Sequence, residues 1–165
     1  MLDILGAETG QMRLKKSMHH VSQVTSQVIG EFVEHISKKA VKLDVNDKKT
    51  KAHFDPVIVA KVFRKILHNA IKFADEGSTI TVDINPSASH VDILVTNKGS
   101  AIDSKKIEQI LKPFTLDEDI MHHSQGMGLG LSVAQSLLKR HHESSLFIKS
   151  GVHKTTVGFS LALHD

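Results

Sequence analysis

Three short segments carry the residue types on which chemistry could be built. The first, Leu67-His68-Asn69-Ala70-Ile71-Lys72-Phe73, sets a carboxamide, a cation and an aromatic ring close together. Lys65, Asn69, Lys72 and Phe73 are spaced four, three and one apart, so a helix can turn them toward one side. The second, Asn97-Lys98-Gly99-Ser100-Ala101-Ile102, ends a run in which Val91, Ile93 and Val95 alternate with other residues. Strand parity puts Asn97 on the apolar side of that run, an unusual place for an amide. The third, Gly126-Met127-Gly128-Leu129-Gly130-Leu131-Ser132, stands immediately before an amphipathic pattern. Three glycines at spacing two let backbone approach a ligand, and the free N–H groups at a helix start favour a phosphate. Each segment alone also has an ordinary reading. On composition, Asn69 belongs on the wet face of its helix, Asn97 is a turn residue, and glycine turns commonly precede helices. There is no GxxxxGK[ST] segment, and no strand directly precedes the glycines as a dinucleotide-binding crossover would need.

Elements must hold these segments in place. Val21, Val24, Val28, Phe32 and Ile36 recur at three and four residues and predict one helix to about Ala40. Val41, Leu43 and Val45 predict a half-buried strand, and Ala52 to Phe54 a short extended piece. Asp55-Pro56 is a helix start, a capping acid with proline in the first turn; the helix should run to about Ala74, burying Val59, Val62, Phe63, Ile66, Ala70 and Phe73. Ile80, Val82 and Ile84, a turn at Asn85-Pro86-Ser87, then Val91, Ile93 and Val95 read as a hairpin. A short helix carries Ile107, Ile110, Leu111 and Phe114 and ends at Pro113, followed by an irregular segment from Thr115 to Gln125. The helix after the glycines buries Leu131, Ala134, Leu137 and Leu138, and two strands follow around Leu146 and Ile148 and around Val157, Phe159, Leu161 and Leu163. Five strands grouped mostly in hairpins, with three substantial helices, predict an α+β fold: a two-layer sandwich of one mixed five-stranded sheet with helices on one face.

Composition narrows the function. At 165 residues with 40% hydrophobic content the chain supports one sizeable core, and no apolar run approaches the ~20 residues of a membrane helix. Neither membrane contact nor a secretory signal is therefore expected. Zero cysteines exclude disulfides and thiolate chemistry and fit a cytoplasmic setting. The net charge of +3 comes from lysines and arginines scattered among acids, with no Trp or Tyr to stack on bases, so nucleic-acid binding is not expected. The paired histidines His19-His20, His122-His123 and His141-His142 lack a carboxylate at ligand spacing and read as solvated.

The order of the three segments resembles the ATP-binding domain shared by histidine kinases, gyrase, heat-shock chaperone ATPases and mismatch-repair ATPases, a Bergerat-type fold. The wording resembles the histidine kinases: LHNAIKFADEGSTITV their Asn box, Lys112-Pro113-Phe114 their Phe box, and GMGLGLSVAQSLLKRHHESSLFIKSG their second glycine box with its helix and strand. The likeness covers residues 17–165 as a catalytic domain, while residues 1–16 resemble the end of a dimerisation helix and its linker. It implies that Asn69 holds Mg²⁺ on the ATP phosphates, Lys72 faces the phosphates and Phe73 lies near the adenine. It also implies that Asn97, Gly99 and Ile102 approach the base, and that Gly126, Gly128, Leu129 and Gly130 shape the phosphate end under a lid at 115–125. The partners implied are a histidine-bearing dimerisation domain and, through that histidine, the receiver domain of a response regulator.

Four departures stand out. Asn97 and Ala101 occupy positions where the family usually has Asp and Gly; Lys65 stands where many members have Asn; the lid offers only His122 and His123 for a basic residue; and no HExxxP-like phosphoacceptor segment occurs in these residues. They keep open a second reading, a non-catalytic relative serving as a regulatory or protein-binding module.

Overall fold

The computed structural model describes residues 14–112, 128–141 and 146–164. Along them run β1 (Ser17–His20), α1 (Val21–Gly30), α2 (Val33–Lys39), β2 (Lys42–Asn46), β3 (Lys51–Phe54) and α3 (Pro56–Phe73). Then come β4 (Thr79–Pro86), β5 (His90–Lys98), α4 (Ser104–Leu111), α5 (Gly128–Arg140), β6 (Phe147–Gly151) and β7 (Lys154–Ala162). Five strands form one sheet in the order β2-β4-β5-β7-β6, antiparallel except for the β2–β4 pair, so the sheet is mixed as expected. Among the described residues no helix is long and apolar enough to cross a membrane.

The core follows from strand parity. Ile80, Val82 and Ile84 of β4, Val91, Ile93 and Val95 of β5, and Val157, Phe159 and Leu161 of β7 are buried and share a face by their register. Val59, Val62, Phe63, Ile66 and Ala70 of α3 and Leu131, Ala134 and Leu138 of α5 are buried with them in one cluster. On the other face Thr96 and Thr156 share a hydrogen bond at 2.9 Å and Ser160 donates to Asp92, which satisfies polar groups that water also reaches.

Helix α3 is fastened at its start by one residue. The Asp55 carboxylate accepts from the N–H groups of Val57 (3.0 Å) and Ile58 (3.4 Å), while its second oxygen accepts from the Lys15 N–H at 3.0 Å. The Asp55 N–H in turn donates to Nε2 of His141 at 3.0 Å. His141 is completely buried, which corrects the reading of its pair as solvated: the ring links the end of α5 to the start of α3. A second buried bridge is Gln135, whose Nε2 donates to the Leu111 carbonyl and whose Oε1 accepts from the Leu146 N–H at 2.7 Å. One amide thus ties α5 to the end of α4 and to the approach of β6.

Four local expectations change. The helix foreseen from Val21 to Ala40 is two, because the chain tightens at Gly30-Glu31-Phe32, where Glu31 and Phe32 N–H groups bond to Val28 and Ile29 carbonyls three residues back. Gly30 is a weak helix former, and the bend buries Phe32 while sending Val33 into solvent. Strand β1 was not foreseen. Its sequence SMHH has no apolar alternation, and it pairs with β3 in a separate two-stranded sheet, where the His19 ring sits 5.5 Å from that of Phe54. Val45 is 40% exposed because β2 is an edge strand whose outer half the helices do not cover. Finally, β4 continues through Pro86, and the hairpin turns at 87–89. The expectations for residues 1–13, for Pro113 and Phe114 of the Phe-bearing segment, for the lid at 115–125 and for Gly126 lie outside the described residues.

The Asp55 junction predicts a graded loss of stability. Asp55→Ala should lower the unfolding free energy by about 1–2 kcal/mol, the range for losing an N-cap acceptor. Asp55→Asn, which keeps one oxygen for the helix N–H groups and gives up the other, should fall between wild type and Ala. Urea denaturation of the three proteins checks this; equal losses for Ala and Asn would remove the helix cap as the cause.

Candidate functional site

The three segments meet where the C-terminal half of α3 lies against the end of β5 and the start of α5. Asn69, assigned on composition to the wet face, is instead only 6% exposed, carried inward by neighbours Ile66, Ala70 and Phe73 on the same turns. A carboxamide is seldom buried without a use for its polarity. Lys72 is exposed, its ammonium lies 5.5 Å from the centroid of the Phe73 ring, and its carbonyl accepts from Lys39 Nζ at 2.5 Å. Phe73 is half-buried rather than fully in the core.

The junction of α3 and β5 is set by a glycine. A Cβ at Gly99 would fall on the Phe73 carbonyl oxygen, well inside contact distance, so only glycine allows the strand end to bridge to Ala74. The Asp75 N–H donates to the Lys98 carbonyl at 2.7 Å and secures the same contact. The structural reason for Gly99 is therefore this close approach of two backbones. Asn97, two residues up the strand, sits on the buried face as parity required and is 3% exposed. Among the described residues, its Nδ2 has no hydrogen-bond partner.

Thr155 lies directly opposite Asn97 on β7, and residues paired in this way point to the same face of a sheet. It is 2% exposed, its hydroxyl shares a 2.8 Å hydrogen bond with Ser150, and Ser150 Oγ accepts from the Ile102 N–H at 2.8 Å. Ile102 itself is buried, which brings the expected site residue under the end of the sheet. Sequence reasoning missed Thr155 and Ser150. The signal for Thr155 was present: the parity of Val157, Phe159 and Leu161 places it on the apolar face as surely as Val95 places Asn97.

At the end expected to shape the phosphates, Gly128 opens α5, Leu129 follows in its first turn, and Gly130 stands beside α3. A Cβ at Gly130 would be 3.9 Å from Lys65 Cδ, ordinary contact, so the Lys65 stem runs alongside the start of α5. Lys65 and Lys72 therefore flank Asn69 on α3, one turn to either side. His68 lies between them, largely exposed, and is held below the ordinary imidazole value, first by partial desolvation and then by the charges of Lys72, His35 and Lys65. At pH 7 the positive charge here belongs to the lysines. Two lysines one turn to either side of a buried amide, with a helix start beside one of them, suit the charge of a phosphate.

Comparison with known proteins gives the family and the fold. The sequence model of the family described as "Histidine kinase-, DNA gyrase B-, and HSP90-like ATPase" matches residues 54–165. The probable sensor kinase SilS of Salmonella typhimurium is 28% identical over 102 residues, 61% of this chain and 20% of that protein. The non-motile and phage-resistance protein of Caulobacter vibrioides is 27% identical over 167 residues, 98% of this chain and 20% of that one. The chain thus spans about a fifth of the length of these relatives. Among solved structures, the catalytic domain of histidine kinase ThkA superposes with a TM-score of 0.76 at 19% identity, covering 92% of this chain and 99% of that one. ThkA in complex with the response regulator protein TrrA gives 0.74 at 17% identity, covering 98% of this chain and 46% of that one. The likeness to ThkA establishes the fold, including β1, α1, α2 and β2, which precede the family match.

The His68 environment predicts a pH dependence of stability in the ligand-free protein. The folded state binds the His68 proton less readily than the unfolded chain, so stability from this group is complete above about pH 6.5 and is lost as pH falls below it. His68→Gln should have a shallower loss of stability between pH 7 and pH 5 than wild type, measured by urea denaturation at several pH values. Parallel curves for the two proteins would contradict the assignment.

Proposed function

Because this chain belongs to the family of histidine kinase-, DNA gyrase B- and HSP90-like ATPases, we propose that it is the ATP-binding catalytic domain of a two-component sensor histidine kinase. In this reading it transfers the γ-phosphate of ATP to a histidine on a dimerisation domain, from which a response regulator receiver domain takes it. The observation that carries the reading is the pair of buried amides, Asn69 and Asn97, on two elements locked together at the Gly99–Phe73 contact. A buried carboxamide needs a polar partner, and a ligand bound there would supply one. Residues 1–16 would end the dimerisation helix and lead into the domain, and the parent protein would work with this part in the cytoplasm.

The chemistry asks for positioning and charge neutralisation more than for covalent participation by the protein. The acceptor imidazole nitrogen forms the new bond to the γ-phosphorus, the bond from that phosphorus to the bridging oxygen breaks, ADP departs, and the imidazole gives up its proton. Lys72 and Lys65 would face the phosphates, and the N–H groups at the start of α5, with Gly126, Gly128 and Gly130, would approach them. Phe73 would line the base, with Asn97, Gly99, Ile102 and Leu129 around it. Mg²⁺ bound to nucleotide is usually held by few protein oxygens, because it keeps waters and phosphate oxygens as ligands. Among the described residues no group of three or more His, Cys, Asp or Glu could hold a metal, and the Asn69 carbonyl oxygen fits the single-ligand role. There the metal would neutralise phosphate charge.

Two outcomes follow. Asn69→Ala and Asn69→Asp should weaken Mg-ATP binding far more than metal-free ATP binding in calorimetry with a non-hydrolysable analogue. Equal losses with and without metal would take Asn69 out of the metal role. Incubated alone with labelled ATP, the chain should acquire no stable label, yet it should label a separately supplied dimerisation domain from its parent. That reaction should be slow, since no covalent link raises the local concentration of the acceptor. Stable label on this chain at any histidine would refute the reading in which the accepting histidine lies on a separate dimerisation domain.

A further inference from the structure

The unpartnered Nδ2 of Asn97 says something about the base. This side chain is buried at the end of β5, and the polar groups nearest to it in the ladder are occupied with one another: Thr155 with Ser150, and Ser150 with the Ile102 N–H. A buried amide N–H without an acceptor is rare in folded proteins, because it has lost its water and gained nothing in exchange. Among the described residues the fold supplies the donor without an acceptor, and a bound ligand can provide one.

We propose that the site accepts 6-oxopurine nucleoside triphosphates alongside ATP, with the Nδ2 of Asn97 donating to the carbonyl at ring position 6. The proposal rests on the reading above, in which Asn97 borders the base. A carboxylate at residue 97 would have acceptors only, so it would pair with the amino group of adenine and repel a ring carbonyl. The carboxamide has a donor as well as an acceptor. With Nδ2 toward the base it meets an oxo group, and turned over it presents Oδ1 to an amino group. Discrimination between the two purine classes is then lost at this contact, since neither base leaves the amide unpaired. The same exchange of a charged acceptor for a neutral one weakens the hold on adenine itself.

Inosine triphosphate isolates the effect, because it carries the 6-oxo group without the 2-amino group that makes guanine larger. Calorimetric titration of the whole chain with Mg-ATP and Mg-ITP should give affinities within about tenfold of each other. Asn97→Asp should tighten ATP and raise the ATP-to-ITP affinity ratio by at least about tenfold. Asn97→Leu, close in size and free of polar atoms, should leave the melting temperature of the ligand-free protein unchanged or higher while weakening both nucleotides by similar factors. It covers the case in which the Asp variant does not fold. Wild type rejecting ITP by more than tenfold, an unchanged ratio in a folded Asn97→Asp, or a Leu variant that loses ATP alone would each overturn the proposal. Wild type that binds ATP but rejects ITP leaves the ATP-site reading standing; wild type that binds neither brings down that reading and this inference together.

Discussion

The site depends on how α3 is clamped at Asp55. A helix carries its azimuth forward without slack: each residue adds about 100° and 1.5 Å. Asn69 follows Asp55 by fourteen residues, so it sits about 21 Å along the axis and roughly 40° short of four full turns. The cap therefore decides, four turns away, whether a carboxamide faces the sheet or the solvent. A slip of one residue would swing Asn69 by about 100° and break the apolar stripe of Val59, Val62, Phe63, Ile66 and Ala70. The bonds from Lys15, Val57 and Ile58 to the carboxylate, and from Asp55 to His141, set that origin from three directions.

The far end of the helix is fixed by the approach of Gly99 to Phe73, and the sheet supplies the second half of the site. Strand β5 is paired along its length with β7 from His90 to Lys98 and with β4 through Thr96, so Asn97 cannot change face without undoing the ladder. Two elements packed in one core and joined at the Gly99–Phe73 contact carry Asn69 and Asn97 without help from a loop. Preorganisation of this kind matters where catalysis consists of positioning charge. The cations are disposed differently: Lys65 and Lys72 are exposed, and the depressed His68 between them adds no third charge at neutral pH.

The sheet and the principal helices were legible in the sequence because they are built on period. The alternation of β4, β5 and β7 and the three-four spacing of α3 and α5 each state which side is buried, and the Asp-Pro cap states where α3 begins. What escaped has no period. SMHH forms β1 only because β3 offers it an edge, Gly30 breaks a stripe that hydrophobic spacing alone would continue, and His141 and Gln135 are buried by partners far away in sequence. Within the site, Asn97 was legible from parity and Asn69 from its place in an ordered set of motifs, against a composition that argued for solvent. Thr155 was legible by the same parity and passed over, since threonine in a strand attracts no notice.

The polar residues inside this domain differ in how they are satisfied, and that difference separates scaffold from site. Gln135 uses both ends of its amide on backbone, the Asp55 oxygens and N–H are all engaged, and Ser150 and Thr155 answer each other. These groups were buried with partners that folding supplies. Asn97 is buried with a donor that finds no partner among the described residues, on a strand too well paired to let the side chain escape to water. A chain selected for stability alone would replace it with leucine or valine at no loss of sheet pairing. Its burial is intelligible when the missing acceptor belongs to something that binds.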